Sequence, residues 1–199
     1  STHYTLTLLI FCTFNSDILR AERGDLISTE EMSTMSQIDA QYVLNAVFGD
    51  FAPEAEFGVG LYKLVYETLD GNGEVTNASG VLAFPINPAQ AFPVLSYQHG
   101  TVVEKDDVTS EIGMSPLIVW MAATGFIFIE ADYLGLGISP GLHPYHVMTS
   151  YATAVIDLIR AGRQFSDESS DFQMNHELML AGYSEGGYAT LAAQMVMEQ

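Results

Sequence analysis

Positive charge is what this chain has least of. Six lysines and arginines stand against 25 aspartates and glutamates, a formal net charge of −19 at pH 7. That balance excludes nucleic acid and anionic membrane surfaces as partners, because both recruit clustered basic side chains. Cysteine is scarcer still. Cys12 stands alone, so no internal disulfide framework can form. No apolar run approaches the roughly 20 residues a membrane-spanning helix needs. Internal repeats and low-complexity tracts are missing too. Glu104, Asp106, Asp107 and Glu111 gather acid in one loop, but their spacing fits no metal-binding loop, and no metal is expected. Gly135-Leu-Gly137 lacks the glycine series of a dinucleotide fingerprint.

What is present suits one globular domain. The chain has 199 residues, 48% of them hydrophobic, enough for a real core. Leu6 to Phe14 is short and apolar, like the tail of a signal-peptide h-region without its basic n-region. Bulky Phe11 argues against a lipid on Cys12. Residues 1–22 are therefore read as a signal remnant and linker, with residence outside the cell or in its envelope expected. Asp17 to Ser36 is polar and charged, which predicts a linker or surface arm; Arg23-Gly24-Asp25 within it is read as a chance tripeptide.

Apolar residues at helical spacing predict a helix over Ser36–Phe48. Gly60–Leu69 and Glu74–Phe84 are β-rich and flank Asp70-Gly71-Asn72-Gly73, a turn signal, so they form an antiparallel hairpin. Asn77-Ala78-Ser79 is a weak glycosylation sequon. From Phe92 onward, short apolar strands (93–98, 126–131, 177–181) alternate with helices (114–124, 147–163, 184–198). Alternation of this kind means βαβ crossovers and a mainly parallel sheet flanked by helices. The nine methionines are scattered and read as core filling.

The chemistry centres on Leu178 to Ala193, LMLAGYSEGGYATLAA. A strand leads into Gly182-Tyr183-Ser184-Glu185-Gly186, and a helix follows. Strand, tight Gly-x-Ser-x-Gly turn and helix make a nucleophile elbow. Such a turn strains the serine's backbone and crowds the positions two residues to either side, so Gly182 and Gly186 are required there. Gly187 is expected to let the helix pack closely on the sheet. The turn exposes the Ser184 hydroxyl beside free helix N–H groups, which favour a developing oxyanion. One oxyanion donor is the backbone N–H of Glu185. The second is expected from His99-Gly100-Thr101, at Gly100 or Thr101. His99 itself is read as a structural loop histidine. Asp132-Tyr133 is expected to shape the substrate cleft, and His143-Pro144-Tyr145-His146 to fix the start of the next helix.

Ser96-Tyr-Gln-His-Gly-Thr, Ala131-Asp-Tyr-Leu-Gly-Leu-Gly, His143-Pro-Tyr and Gly182-Tyr-Ser-Glu-Gly-Gly, in that order and spacing, resemble the secretory lipase family. The likeness runs from about Arg23 to the end of the chain. It implies an α/β-hydrolase fold, here as the N-terminal portion of one domain over residues 23–199. It implies hydrolysis of a small-molecule ester or lipid through an acyl-serine at Ser184, by a secreted or envelope enzyme with no organic cofactor. The chain departs from the family in one respect. The triad of such hydrolases runs Ser, acid, His, yet no histidine or aspartate follows Ser184. The acid and base are therefore expected outside this sequence, and the chain alone is expected to be inactive. Two other readings stay open: a serine peptidase or other acyl hydrolase of the same fold, and a catalytically silent half-domain serving binding or assembly. The oligomeric state is not legible.

Overall fold

The computed structural model describes residues 23–199. The expected signal remnant lies outside them. Six strands form one mixed sheet in the order β1-β2-β3-β5-β4-β6. They are β1 (Leu26–Met35), β2 (Val59–Leu69), β3 (Val75–Pro85), β4 (Ala91–Gln98), β5 (Ile127–Ala131) and β6 (Gln173–Gly182). Five helices join them: α1 (Gln37–Phe48), the single turn α2 (Thr109–Ile112), α3 (Pro116–Ala123), α4 (Met148–Glu168) and α5 (Glu185–Met197).

The expected hairpin is β2–β3, paired antiparallel from Val59↔Pro85 to Leu69↔Val75. Its turn is held by Asp70, whose Oδ1 accepts the N–H groups of Asn72 at 2.8 Å and Glu74 at 2.9 Å. This local capture explains why Asp-Gly-Asn-Gly turns the chain here. β3 then pairs antiparallel with β5, while β4 runs parallel to both β5 and β6.

The stretch expected to be a linker is instead a strand over most of its described length. β1 lies antiparallel on the edge of β2. Its side chains are mostly exposed, so its sequence carries no apolar alternation. Backbone pairing to β2, not burial, holds it, and its charged residues suit an edge that must not recruit another strand. Arg23-Gly24-Asp25 is tied down too. Arg23 pairs with buried Asp157 at 3.3 Å, and the Gly24 N–H donates to the carbonyl of Glu67.

Alternating residues of the central strands feed two cores. Leu64, Tyr66, Leu82, Phe84, Ile127 and Ile129 pack on one face beneath α4 and α5. Val59, Leu61, Val81, Ala83 and Phe128 pack on the other beneath α1 and α3. Helices on both faces follow from the crossovers. β4 reaches β5 through α3 on one side, then β5 reaches β6 through α4 on the other. β4 thus has its successor strands on opposite flanks, and the crevice beyond its C-terminal end is the topological switch point where open α/β sheets bind ligands. The loops after β4 and β6 both open there.

Candidate active site

Ser184 stands at the C-terminal end of β6, immediately before α5, and is exposed. Its backbone is at φ 56° and ψ −116°, a conformation that L-residues avoid. Two glycines crowd closely around it. A Cβ on Gly182 would run into the carbonyl of Gly186, and one on Gly186 into the carbonyl of Gln98, both inside 3.0 Å. Gly187 differs from expectation. A Cβ there meets nothing within 4 Å, so the helix does not need this glycine to approach the sheet.

The elbow is fastened to β4 by backbone and side chain. Tyr183 N–H donates to the Gln98 carbonyl at 3.1 Å, and Gly186 N–H donates to the Tyr183 carbonyl at 2.8 Å. Gln98 is 1% exposed. Its amide is oriented so that nitrogen donates to Thr190 Oγ1 at 2.8 Å and to the Ala181 carbonyl at 2.6 Å, while oxygen accepts from Ser96 Oγ. Thr190 in turn donates to the Gly186 carbonyl at 2.8 Å. One buried glutamine therefore joins β4, β6 and the first turns of α5.

Gly100 and Thr101 follow β4 directly and lie against the elbow. A Cβ on Gly100 would come within 3.1 Å of the exposed Tyr183 ring, which would have to shift slightly to admit it. His99 turns its ring nitrogens to the carbonyls of Gly100 at 2.7 Å and Asp132 at 3.3 Å, and stacks on Tyr133 with centroids 4.2 Å apart. It braces the loop. Asp132 acts from inside the fold rather than at a surface. It is buried, accepting from Ser79 Oγ at 2.5 Å and Ser110 Oγ at 2.6 Å, and it secures the loop after β5 from within. Burial pushes its carboxyl upward, against the pull of those two hydroxyls. Tyr133 holds φ 73° and donates to the His99 carbonyl at 3.0 Å. Besides Ser184, the described residues with positive φ that are not glycine are Tyr133 and His146, both beside this site. Strain is concentrated where the three loops meet.

Sequence reasoning missed the partner of Glu185. This first residue of α5 has a side chain only 1% exposed, and a buried carboxylate requires compensation. His143 Nε2 lies 2.8 Å from Glu185 Oε1, and Tyr151 Oη donates to the same oxygen at 2.5 Å. Burial by itself would raise the Glu185 carboxyl. Hydrogen bonding from Tyr151 and His143 leaves it below the usual range. His143 Nδ1 faces the Leu134 carbonyl at 2.8 Å. The usable signal was Glu185 itself: an acid wedged between an elbow serine and glycine has nowhere to go but inward. His146, grouped with His143 at first, stacks on Tyr145 and packs near Tyr188. His176 is exposed on β6, and His3 lies outside the described residues.

Glu104, Asp106 and Asp107 remain solvated, while Glu111 pairs with Lys63. Among the described residues, no group of three or more His, Cys, Asp or Glu side chains is placed to hold a metal ion. None of the described helices is long and apolar enough to cross a membrane.

Residues 101–199 match the secretory lipase family. The rice cell wall degrading esterase LipA from Xanthomonas oryzae superposes with a TM-score of 0.80 at 28% identity, over 88% of this chain and 46% of its own. A protein from Legionella pneumophila gives 0.78 at 31% identity, over 87% and 48% respectively. Candida antarctica lipase A, 20% identical, shares the fold with a TM-score of 0.62 over 92% of this chain and 40% of its own. No curated protein sequence matches the chain. The chain spans about half the length of the solved structures it resembles. It has the α/β-hydrolase fold, and its residues 101–199 resemble the secretory lipase family.

Proposed function

We propose that this chain carries the nucleophilic half of a carboxylic ester hydrolase that works through an acyl-serine at Ser184. The observation that supports the reading best is the backbone of Ser184, held at φ 56° between two glycines whose missing side chains leave no spare room. Strain of this kind persists only where surrounding structure enforces it, and it lifts the hydroxyl clear of the sheet. Attack on an ester carbonyl by Ser184 Oγ would place the oxyanion between the N–H of Glu185 and the loop Gly100–Thr101. Donors fixed in advance are the largest single contribution to such reactions, on the order of 3 kcal/mol for one N–H.

Ser184 needs a base to accept its proton. His99 and His143 have their ring nitrogens engaged elsewhere, and His146 is stacked among tyrosines. On this reading the base and its carboxylate come from outside the 199 residues. The substrate is a small ester or a lipid, and no cofactor is required. The family's character, together with the apolar Leu6–Phe14 run, favours a secreted or envelope enzyme.

The test compares turnover of p-nitrophenyl esters and of peptide amides by the product of the whole gene and by residues 1–199 alone. Ser184-dependent ester turnover is expected from the former only. Turnover by the 199-residue chain that vanishes in Ser184→Ala would place a base within it. Preferential cleavage of amides would replace esterase with peptidase.

A further inference from the structure

The pairing of His143 with Glu185 has a consequence for charge at the elbow. A carbonyl oxygen only accepts, so His143 Nδ1, 2.8 Å from the Leu134 carbonyl, carries a hydrogen. Tyr151 Oη accepts the backbone N–H of His146 at 3.1 Å and spends its own hydrogen on Glu185 Oε1. Tyr151 Oη also lies 3.2 Å from Nε2, and with Glu185 held in its charged form by these bonds, Nε2, 2.8 Å from Oε1, donates to it. Both ring nitrogens then carry hydrogen, so His143 is an imidazolium facing a carboxylate. The other carboxylate oxygen, Oε2, is buried without any partner. Half of the Glu185 carboxylate is therefore uncompensated except by the charge on His143.

Glu185 is also the residue whose backbone N–H faces the developing oxyanion in the proposed reaction. A bare carboxylate on that same residue, held away from water, would oppose negative charge building beside it. We propose that His143 is a positioning residue, whose imidazolium neutralises Glu185 and so lets the Glu185 N–H stabilise the oxyanion of an ester substrate. The inference rests on Ser184 being the nucleophile, but the ion pair itself does not.

Other groups face the pair. Tyr133, Tyr145 and Tyr151 surround the His143 ring with centroids 6.0, 6.1 and 5.7 Å away. Burial drives the Tyr133 and Tyr151 hydroxyls well above their usual range, so both stay neutral. Thr101 and Leu134 bring no charge. His146 and Tyr188 stand one layer out, with the Tyr188 hydroxyl donating to the His146 carbonyl. Among the described groups in contact with the pair, His143 alone can be cationic.

Two measurements on the product of the whole gene test this. Proton–nitrogen correlation spectra of ¹⁵N-histidine-labelled protein at pH 7 report the hydrogens on each ring nitrogen. The His143 signal is identified by its loss in His143→Gln, or by its shift in Glu185→Gln should the first variant not fold. Two hydrogens are expected; a ring with one hydrogen overturns the ion pair whether or not the protein turns over ester. Ester turnover is then measured. His143→Gln should lower kcat between about tenfold and a hundredfold with KM little changed. The double variant His143→Gln/Glu185→Gln should recover at least threefold of that loss, because the opposing charge is gone. A double variant as slow as His143→Gln overturns the charge role in favour of simple scaffolding. A wild type inert towards every ester overturns the proposed function and the catalytic part of this inference with it, leaving the spectra to decide the pair.

Discussion

The carbonyl of Gln98 occupies the space that a side chain on Gly186 would need. β4 and the elbow are thereby pressed together at the switch point of the sheet, with Tyr183 N–H bonded to the same carbonyl. Neighbouring glycines in one short sequence thus differ sharply in what they tolerate. Gly186→Ala should destabilise the protein by about 1–3 kcal/mol, as overpacking against a fixed backbone does. Gly187→Ala has open space and lies within a helix, where alanine is favoured over glycine by up to about 1 kcal/mol. It should be neutral or stabilising. Urea unfolding of the two variants beside wild type reads the contrast directly.

Gln98 supplies a second prediction. Its amide satisfies Thr190 and the Ala181 carbonyl from a position 1% exposed. Gln98→Leu keeps the bulk but strands those partners, and an orphaned buried group costs about 1–3 kcal/mol. Thermal melting should fall by several degrees. A melt unchanged within a degree would mean that the amide does not tie β4 to α5.

Glu130 makes stability depend on pH. It sits on β5, buried, and its pKa is pushed up to about 7. Burial is the main cause; Asp132 adds to it, while the Thr109 hydroxyl opposes it. Because the folded state holds this proton more tightly than the unfolded chain, stability falls as pH rises from about 4.5 through about 7. The penalty above that range is on the order of 3 kcal/mol. Glu130→Gln keeps an acceptor for Thr109 and removes the charge. It should match wild type at pH 4.5 and exceed it at pH 8. Equal margins at both values would show that the carboxylate is solvated.

Much of this was legible in the sequence, for reasons that particular residues make plain. The hairpin announced itself because Asp70 captures its own turn, and β5 because Ile127 to Ile129 is buried on both faces. The elbow was legible because only Gly182 and Gly186 could flank a strained serine. β1 was not, since an exposed edge strand needs backbone partners and leaves no apolar period to read. The role of Gly187 was misjudged because sequence cannot say which side of a helix faces the sheet. The pairing of His143 with Glu185 joins residues 42 apart across two loops, a distance that no local pattern reports.

The measurement that bears most directly on the account is labelling of the whole gene product by a fluorophosphonate probe, with peptide mapping and thermal melting. Wild type should react at the peptide carrying Ser184. Ser184→Ala should melt at the same temperature and take up no label. A folded Ser184→Ala protein that labels normally would show that another residue is the nucleophile, and the strained serine at the end of β6 would have to be explained without chemistry.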